Sequence, residues 1–145
     1  FGFYSSYSAE AELEDVYYLA VRVAVEKFAI MNDIQIEKID TGSKKELLNK
    51  LEGILCLGIF TDFETNWVKA LNKQAVFVDT FWEDDQFSSV LIDTKLGTKK
   101  AMSCLLENGH KKIGFIGGID IPDEKDSRQL IFEEMLEKNS LLEPK

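Results

Sequence analysis

The sequence predicts an α/β fold, a parallel sheet with helices on both faces. Three observations carry that reading. Several apolar stretches run nearly unbroken, above all Gly53-Ile54-Leu55-Cys56-Leu57-Gly58-Ile59-Phe60, as strands buried on both faces do. Between them lie segments with apolar residues at helical spacing and recognisable caps. Strand and helix signals alternate along the chain with short connections, the order of repeated β-α-β units.

Taken in order, strands are expected at residues 1–6, 34–40, 53–60, 75–80, 89–93 and 112–117. The first helix is expected over residues 15–31. There Tyr17, Val21, Ala24, Val25 and Phe28 fall at i, i+4, i+7, i+8 and i+11 and form one apolar stripe. Ser43 and Glu46 have capping-box spacing and open a helix over 44–51; Thr61 and Glu64 repeat it ahead of Phe63, Trp67 and Leu71. Asp93 or Thr94 caps a helix with Gly97, Ala101, Cys104 and Leu105 on one face, and Gly109 supplies its left-handed stop. Asp126, with Gln129 three residues on, caps a last helix whose Ile131, Phe132, Met135 and Leu136 face a core.

At 145 residues, with 45% hydrophobic and 30% charged residues, the chain has the balance of a globular protein rather than a disordered one. Its net charge of −9 argues against direct contact with nucleic acid, whose phosphates need clustered Lys and Arg. Lys99-Lys100 and Lys111-Lys112 read as solvated helix ends. No apolar run has the length of a membrane span, so no membrane partner is expected. Cys56 and Cys104 are too few for a disulfide framework and read as buried, reduced thiols in a cytoplasmic protein.

A domain boundary is expected at 93/94, with an N-terminal lobe over 1–93 and the start of a second, incomplete lobe over 94–145. Five strands precede the boundary, enough for a flavodoxin-like sheet. One strand follows it, and one strand makes no sheet by itself. Phe1-Gly2-Phe3-Tyr4 reads as a strand from its first residue, so a further N-terminal piece is expected ahead of it.

The residues around this boundary carry a family resemblance. Ile92-Asp93, Gly97, Ala101, Leu105, Gly109-His110-Lys111-Lys112-Ile113-Gly114-Phe115-Ile116-Gly117-Gly118 and Arg128 resemble, in order and spacing, the effector-binding domain of the lactose/galactose-repressor (LacI/GalR) family. Glu12 to Glu26, Gly53 to Gly58 and Val76-Phe77-Val78-Asp79 resemble its first, third and fourth units. The resemblance implies a periplasmic-binding-protein-like (type I) lobe and part of a second. It implies a sugar effector held between lobes, a homodimer, and operator DNA bound by a helix-turn-helix headpiece not present in these residues. The segment from Glu12 to Arg22 looks most like regulators of galactoside use.

Sugars are recognised by planar polar side chains that bridge hydroxyls and by aromatic faces that cover the ring. Arg128, a rigid multi-donor fork, suits the first role, and the resemblance places an effector contact there. The competing reading pairs it with Asp126 or Asp123. Tyr17 and Tyr18 open the first helix; Tyr17 falls on the core stripe, leaving Tyr18 free to stack on a ligand. Tyr7 and Ser8 stand at the end of the first strand, Ser8 offering both a donor and an acceptor. Phe81 and Trp82 either wall the cleft or are exposed aromatics. Asp93 caps the next helix or touches ligand, and His110, beside a helix-ending glycine, reads as structural.

Asp79, Glu83, Asp84 and Asp85 invite a metal or phospho-acceptor reading, but Ser5-Ser6 replaces the acidic pair that a receiver domain carries after its first strand. A solvated loop is the default there. Gly117-Gly118 lacks the G-x-G-x-x-G spacing of a dinucleotide site, so neither cofactor nor metal is expected. Nothing assembles a nucleophile, a base and an oxyanion donor, so an enzyme is not expected. Two rivals share the fold class: a solute-binding protein of a sugar transporter, and a small flavodoxin-like enzyme.

Overall fold

Five parallel strands form one sheet in the order β2-β1-β3-β4-β5: β1 is Gly2–Ser5, β2 Glu37–Lys38, β3 Gly53–Leu57, β4 Gln74–Val78 and β5 Ser88–Val90. The computed structural model describes residues 1–81, 86–118 and 125–141. The chain divides into two units, Phe1–Leu91 and Ile92–Lys145, and the sheet belongs to the first. Each of these five strands is shorter than expected. The pairing of β1 with β2, for instance, covers only Gly2↔Glu37 and Phe3↔Lys38.

The two-residue period of a strand sorts the side chains between two faces. Tyr4, Ile54, Cys56, Ala75 and Phe77 pack with Ile39, Leu51 and Val68 beneath α3 (Lys45–Lys50) and α4 (Asp62–Ala70). Phe3 and Leu57 pack with Tyr18 on the opposite face, beneath α2 (Val16–Met31). Complete burial of a large apolar side chain such as Phe77 contributes about 1.5–3 kcal/mol.

The faces are unequally covered. On the α3/α4 face, Cys56 and Phe77 are fully buried; on the other, their strand neighbours Leu55, Val76 and Val78 are only half-buried and Val90 is exposed. An open apolar trough of about 690 Å³ runs there between α2 and the sheet, with Val25, Phe28, Leu55 and Val76 in its walls.

The helix ends follow local chemistry. Thr61 and Glu64 form the expected capping box at α4, the Thr61 hydroxyl accepting from Glu64 N–H while the Glu64 carboxylate accepts from Thr61 N–H at 2.8 Å. The box expected from Ser43 and Glu46 does not form. Lys44 is the N-cap of α3 without a side-chain bond, and the Ser43 hydroxyl instead accepts from Asp40 N–H, closing a turn. A six-residue helix α1 (Ala9–Glu14), absent from the expectation, precedes α2. Ser8 caps it, and Asp15 both ends it and caps α2.

The α2 stripe keeps Val21 and Val25 of the expectation, and its ends move by one residue. Tyr18 and Ala29 are buried with Val21 and Val25 partly so, whereas Tyr17 and Phe28 are exposed. Both stripes have helical spacing; the sheet selects the one that lies over Phe3 and Leu57.

In the second unit α5 (Thr94–Glu107) and α6 (Ser127–Lys138) pack together, with Thr94 Oγ1 and Ser127 Oγ 3.1 Å apart. Met102 is the buried residue of α5, so Gly97, Ala101, Cys104 and Leu105 do not form its packed face. Gly109 ends α5 at φ +81 with the expected left-handed stop, His110 N–H reaching back to Leu105 O. Ile131 and Leu136 are buried on α6 as expected. No strand forms over 112–117: Phe115 packs on Phe132, yet Ile116 is fully exposed. A strand is stabilised by its ladder, and among the described residues of this unit no other strand offers one.

Candidate functional site

In the strand order seen here, β1 and β3 are adjacent and their following helices leave to opposite faces, the switch in strand order whose carboxyl end is where open α/β sheets bind ligands. The chain reaches that end at Ser6, Tyr7 and Ser8 after β1, at Gly58 after β3, and at Asp79 and Thr80 after β4.

These three strand ends are closely joined. Ser6 N–H donates to Leu57 O at 3.0 Å, and the Thr80 hydroxyl donates to Gly58 O. Gly58 lies at φ +113, and a Cβ there would sit 2.2 Å from Ser6 Oγ and 2.8 Å from the Tyr7 ring. Only glycine satisfies both the backbone conformation and the approach.

Tyr7 stacks on Tyr18 with ring centroids 4.2 Å apart, and Tyr17 meets Tyr18 edge-on at 5.1 Å. The Tyr18 hydroxyl donates to Asp79 Oδ2 at 3.0 Å. Asp79 holds a left-handed backbone, φ +65, and its N–H donates to Val90 O at 2.9 Å, pinning the turn to β5. Burial, hydrogen bonding with Tyr7 and Asp79, and the Asp79 charge push the Tyr18 phenol far above its ordinary range. Tyr17 is raised as well, by burial first, then by the charge and hydrogen bond of Asp79 and the charge of Asp15. Both phenols stay protonated donors.

The expected roles of the two tyrosines are therefore exchanged. Tyr18 is a core residue whose hydroxyl emerges at the strand ends, and Tyr17 is the exposed one. Asp79 is half-buried and bonded to tyrosine, so the solvated-loop expectation fails at this residue. Sequence reasoning missed its role, although an acid closing the buried run Val76-Phe77-Val78 was the available signal. Ser8 is exposed and its Oγ accepts from Ala11 N–H at 3.2 Å, the cap of α1. Phe81 is exposed, and Trp82 lies outside the described residues.

A second polar network sits on the α4 side. Tyr4 donates to Glu64 Oε1 at 3.0 Å, with Phe60 and Trp67 around its ring. Burial acts to raise Glu64, but the hydrogen bonds from Thr61 and Tyr4 outweigh it and hold the carboxyl below its ordinary value.

In the second unit, Asp93 Oδ1 accepts from Leu96 N–H at 2.8 Å and caps α5. Arg128 forms a two-pronged pair with Asp126, Nε to Oδ1 at 2.7 Å and Nη2 to Oδ2 at 2.8 Å, and Asp126 also caps α6. The Asp126 pairing is thus the arrangement present. The Cys56 thiol is buried and pushed up to about 12, whereas Cys104, expected to be buried, is exposed. Among the described residues, no group of three His, Cys, Asp or Glu is placed to hold a metal ion, and no helix is long and apolar enough to cross a membrane.

No family model matches the chain. It is 35% identical to the HTH-type transcriptional regulator GanR of Bacillus subtilis over 139 residues, 91% of this chain and 42% of that protein. It is 30% identical to the HTH-type transcriptional regulator GalR of Streptococcus thermophilus over 77% of this chain and 34% of that protein. The chain thus spans less than half the length of these curated relatives. Among solved structures, a transcription regulator from Lactobacillus plantarum superposes with a TM-score of 0.67 at 19% identity, covering 99% of this chain and 53% of that one. A LacI family transcriptional regulator from Lactobacillus casei with bound sucrose superposes with a TM-score of 0.63 at 18% identity, covering 97% of this chain and 54% of that one.

Proposed function

The chain belongs to the LacI/GalR family of transcriptional regulators, and from that premise we propose that it is the sugar-sensing part of a cytoplasmic repressor. The observation that carries the reading is the aromatic and carboxylate cluster of Tyr7, Tyr17, Tyr18 and Asp79, set where the carboxyl ends of β1, β3 and β4 meet. Stacked rings offer a face to a sugar's C–H surface, and a carboxylate accepts from sugar hydroxyls.

Ser8 adds a hydroxyl from the first unit, and Trp82 an aromatic by its place in the sequence. Arg128 and Asp93 are the proposed contacts from the second unit. The Arg128–Asp126 pair holds the guanidinium at the N-terminal end of α6, the position from which we propose it reaches the effector. The effector proposed is a galactoside, on the resemblance of the segment from Glu12 to Arg22 to regulators of galactoside use. DNA is bound by a headpiece outside these residues, in keeping with the net charge of −9 on this part. Effector and operator are linked by a coupling of about 1–3 kcal/mol, reciprocal between the two sites. The regulator works as a homodimer, since two-fold operators match paired headpieces, and it has no catalytic activity.

Calorimetric titration with a panel of galactosides and glucosides tests the reading. Saturable binding by at least one sugar is expected, weakened at least tenfold in Arg128→Ala. Unchanged affinity in that variant removes Arg128 from the site, and no binding by any sugar of the panel overturns the sensor reading.

A further inference from the structure

Apolar groups cross the carboxyl end of the sheet from one strand to the next. On the α2 side, Tyr17 meets Tyr18 edge-on and Tyr18 stacks on Tyr7. Tyr7 in turn reaches the end of β3, where its ring would lie 2.8 Å from a Cβ on Gly58. Gly58 O accepts from the Thr80 hydroxyl, and that bond joins the end of β3 to the end of β4. Each partner in it is followed by a large apolar residue, Ile59 after Gly58 and Phe81 after Thr80.

Those two residues stand apart from the packing beside them. Phe60 turns inward onto Tyr4 and Phe77, whereas Ile59 is 68% exposed and Phe81 67%. The fold draws little from either side chain. Apolar surface gathered in water at the end of the sheet where α/β proteins take their ligands is surface that a ligand can cover. The tyrosines rise beside β1 and Phe81 follows β4, and these strands are separated by two strand spacings, roughly 9–10 Å. One pyranose ring covers one aromatic face, so a second ring, carried on a glycosidic bond, is what reaches the other.

Resting on the sugar-sensor reading above, we propose that the effector is a disaccharide or longer oligosaccharide, with one ring seated on Tyr7 and Tyr17 and the next on Phe81 and Ile59. A sensor of single-ring sugars would satisfy the broader reading equally well, so the two stand or fall separately.

Calorimetry with galactose and glucose against lactose, melibiose, maltose and sucrose decides it. At least one disaccharide is expected to bind about tenfold or more tightly than either monosaccharide. A smaller margin, or a monosaccharide that binds better, overturns the inference and leaves the sensor reading standing; no binding by any of the six overturns both. In Phe81→Ala, verified as folded by its circular dichroism melt, the affinity for that disaccharide is expected to fall severalfold, towards that of the monosaccharides. An unchanged affinity in the folded variant overturns the assignment of the second ring to Phe81.

Discussion

The hydroxyl of Tyr18 and the carboxylate of Asp79 lie 3.0 Å apart although 61 residues of sequence separate them. Their bond ties the start of α2 to the turn after β4 and passes over the carboxyl ends of β1 and β3. Two elements that reach the strand ends from different parts of the chain are thereby held in one arrangement. A recognition site needs that rigidity, because a ligand's hydroxyls must find their partners already placed.

Removing the Tyr18 hydroxyl isolates this bond. Tyr18→Phe keeps the ring that packs on Tyr7, Phe3 and Leu57, so the protein folds and loses about 1.5–3 kcal/mol, the range for a bond to a charged group. Urea unfolding of Tyr18→Phe, Asp79→Asn and the double variant should show losses that do not add, with a double variant little worse than the worse single one. Strict additivity would mean that the two groups do not act as a pair.

Unequal coverage of the sheet predicts unequal sensitivity of neighbouring residues. Phe77 is fully buried, and Phe77→Ala should cost about 3–5 kcal/mol. Val76, one residue earlier on the half-covered face, should cost about 1 kcal/mol or less on truncation to Ala. Urea midpoints at matched slopes give the comparison, and similar losses at both positions would contradict the described burial.

The two cysteines should differ in reactivity. A thiolate is the reactive species, and burial pushes the Cys56 thiol up to about 12, while Cys104 is exposed. With a maleimide at pH 8, the native protein should take up one equivalent promptly, lost in Cys104→Ser, and the second only on unfolding.

Glu64 predicts part of the response to acid. Its carboxyl lies below the ordinary glutamate value when folded, so its bonds to Thr61 and Tyr4 stabilise the protein fully above about pH 4.3, the unfolded value. That contribution fades as pH falls from there through the folded-state value. Glu64→Gln, which keeps an acceptor for the cap, should therefore lose less stability between pH 5 and pH 3 than the parent does, as read from urea midpoints across that range.

Local chemistry made much of this protein legible. The Thr61–Glu64 box, the Asp93 and Asp126 caps and the Gly109 stop are each settled within a few residues of chain, and each appears as its spacing demands. Ser43 and Glu46 have the same spacing and fail, because Asp40 offers the Ser43 hydroxyl a nearer partner in a turn. Helix α1 was illegible for a related reason, since its six residues lack the repeat that a longer amphipathic helix displays.

By itself the sequence determined the α/β class, the five strands of the first unit and the end of the sheet at which the polar and aromatic residues gather. Alternation, helical period and capping are properties of neighbouring residues, and they need no knowledge of the rest of the chain. Only the tertiary structure decided which side of α2 is buried, hence that Tyr18 rather than Tyr17 joins the core, and that Asp79 answers it from across the sheet. It also decided that residues 112–117 form no strand. Burial and strand pairing belong to partners distant in sequence, so a periodic pattern can propose a face or a strand, and only the neighbour that covers it can select one.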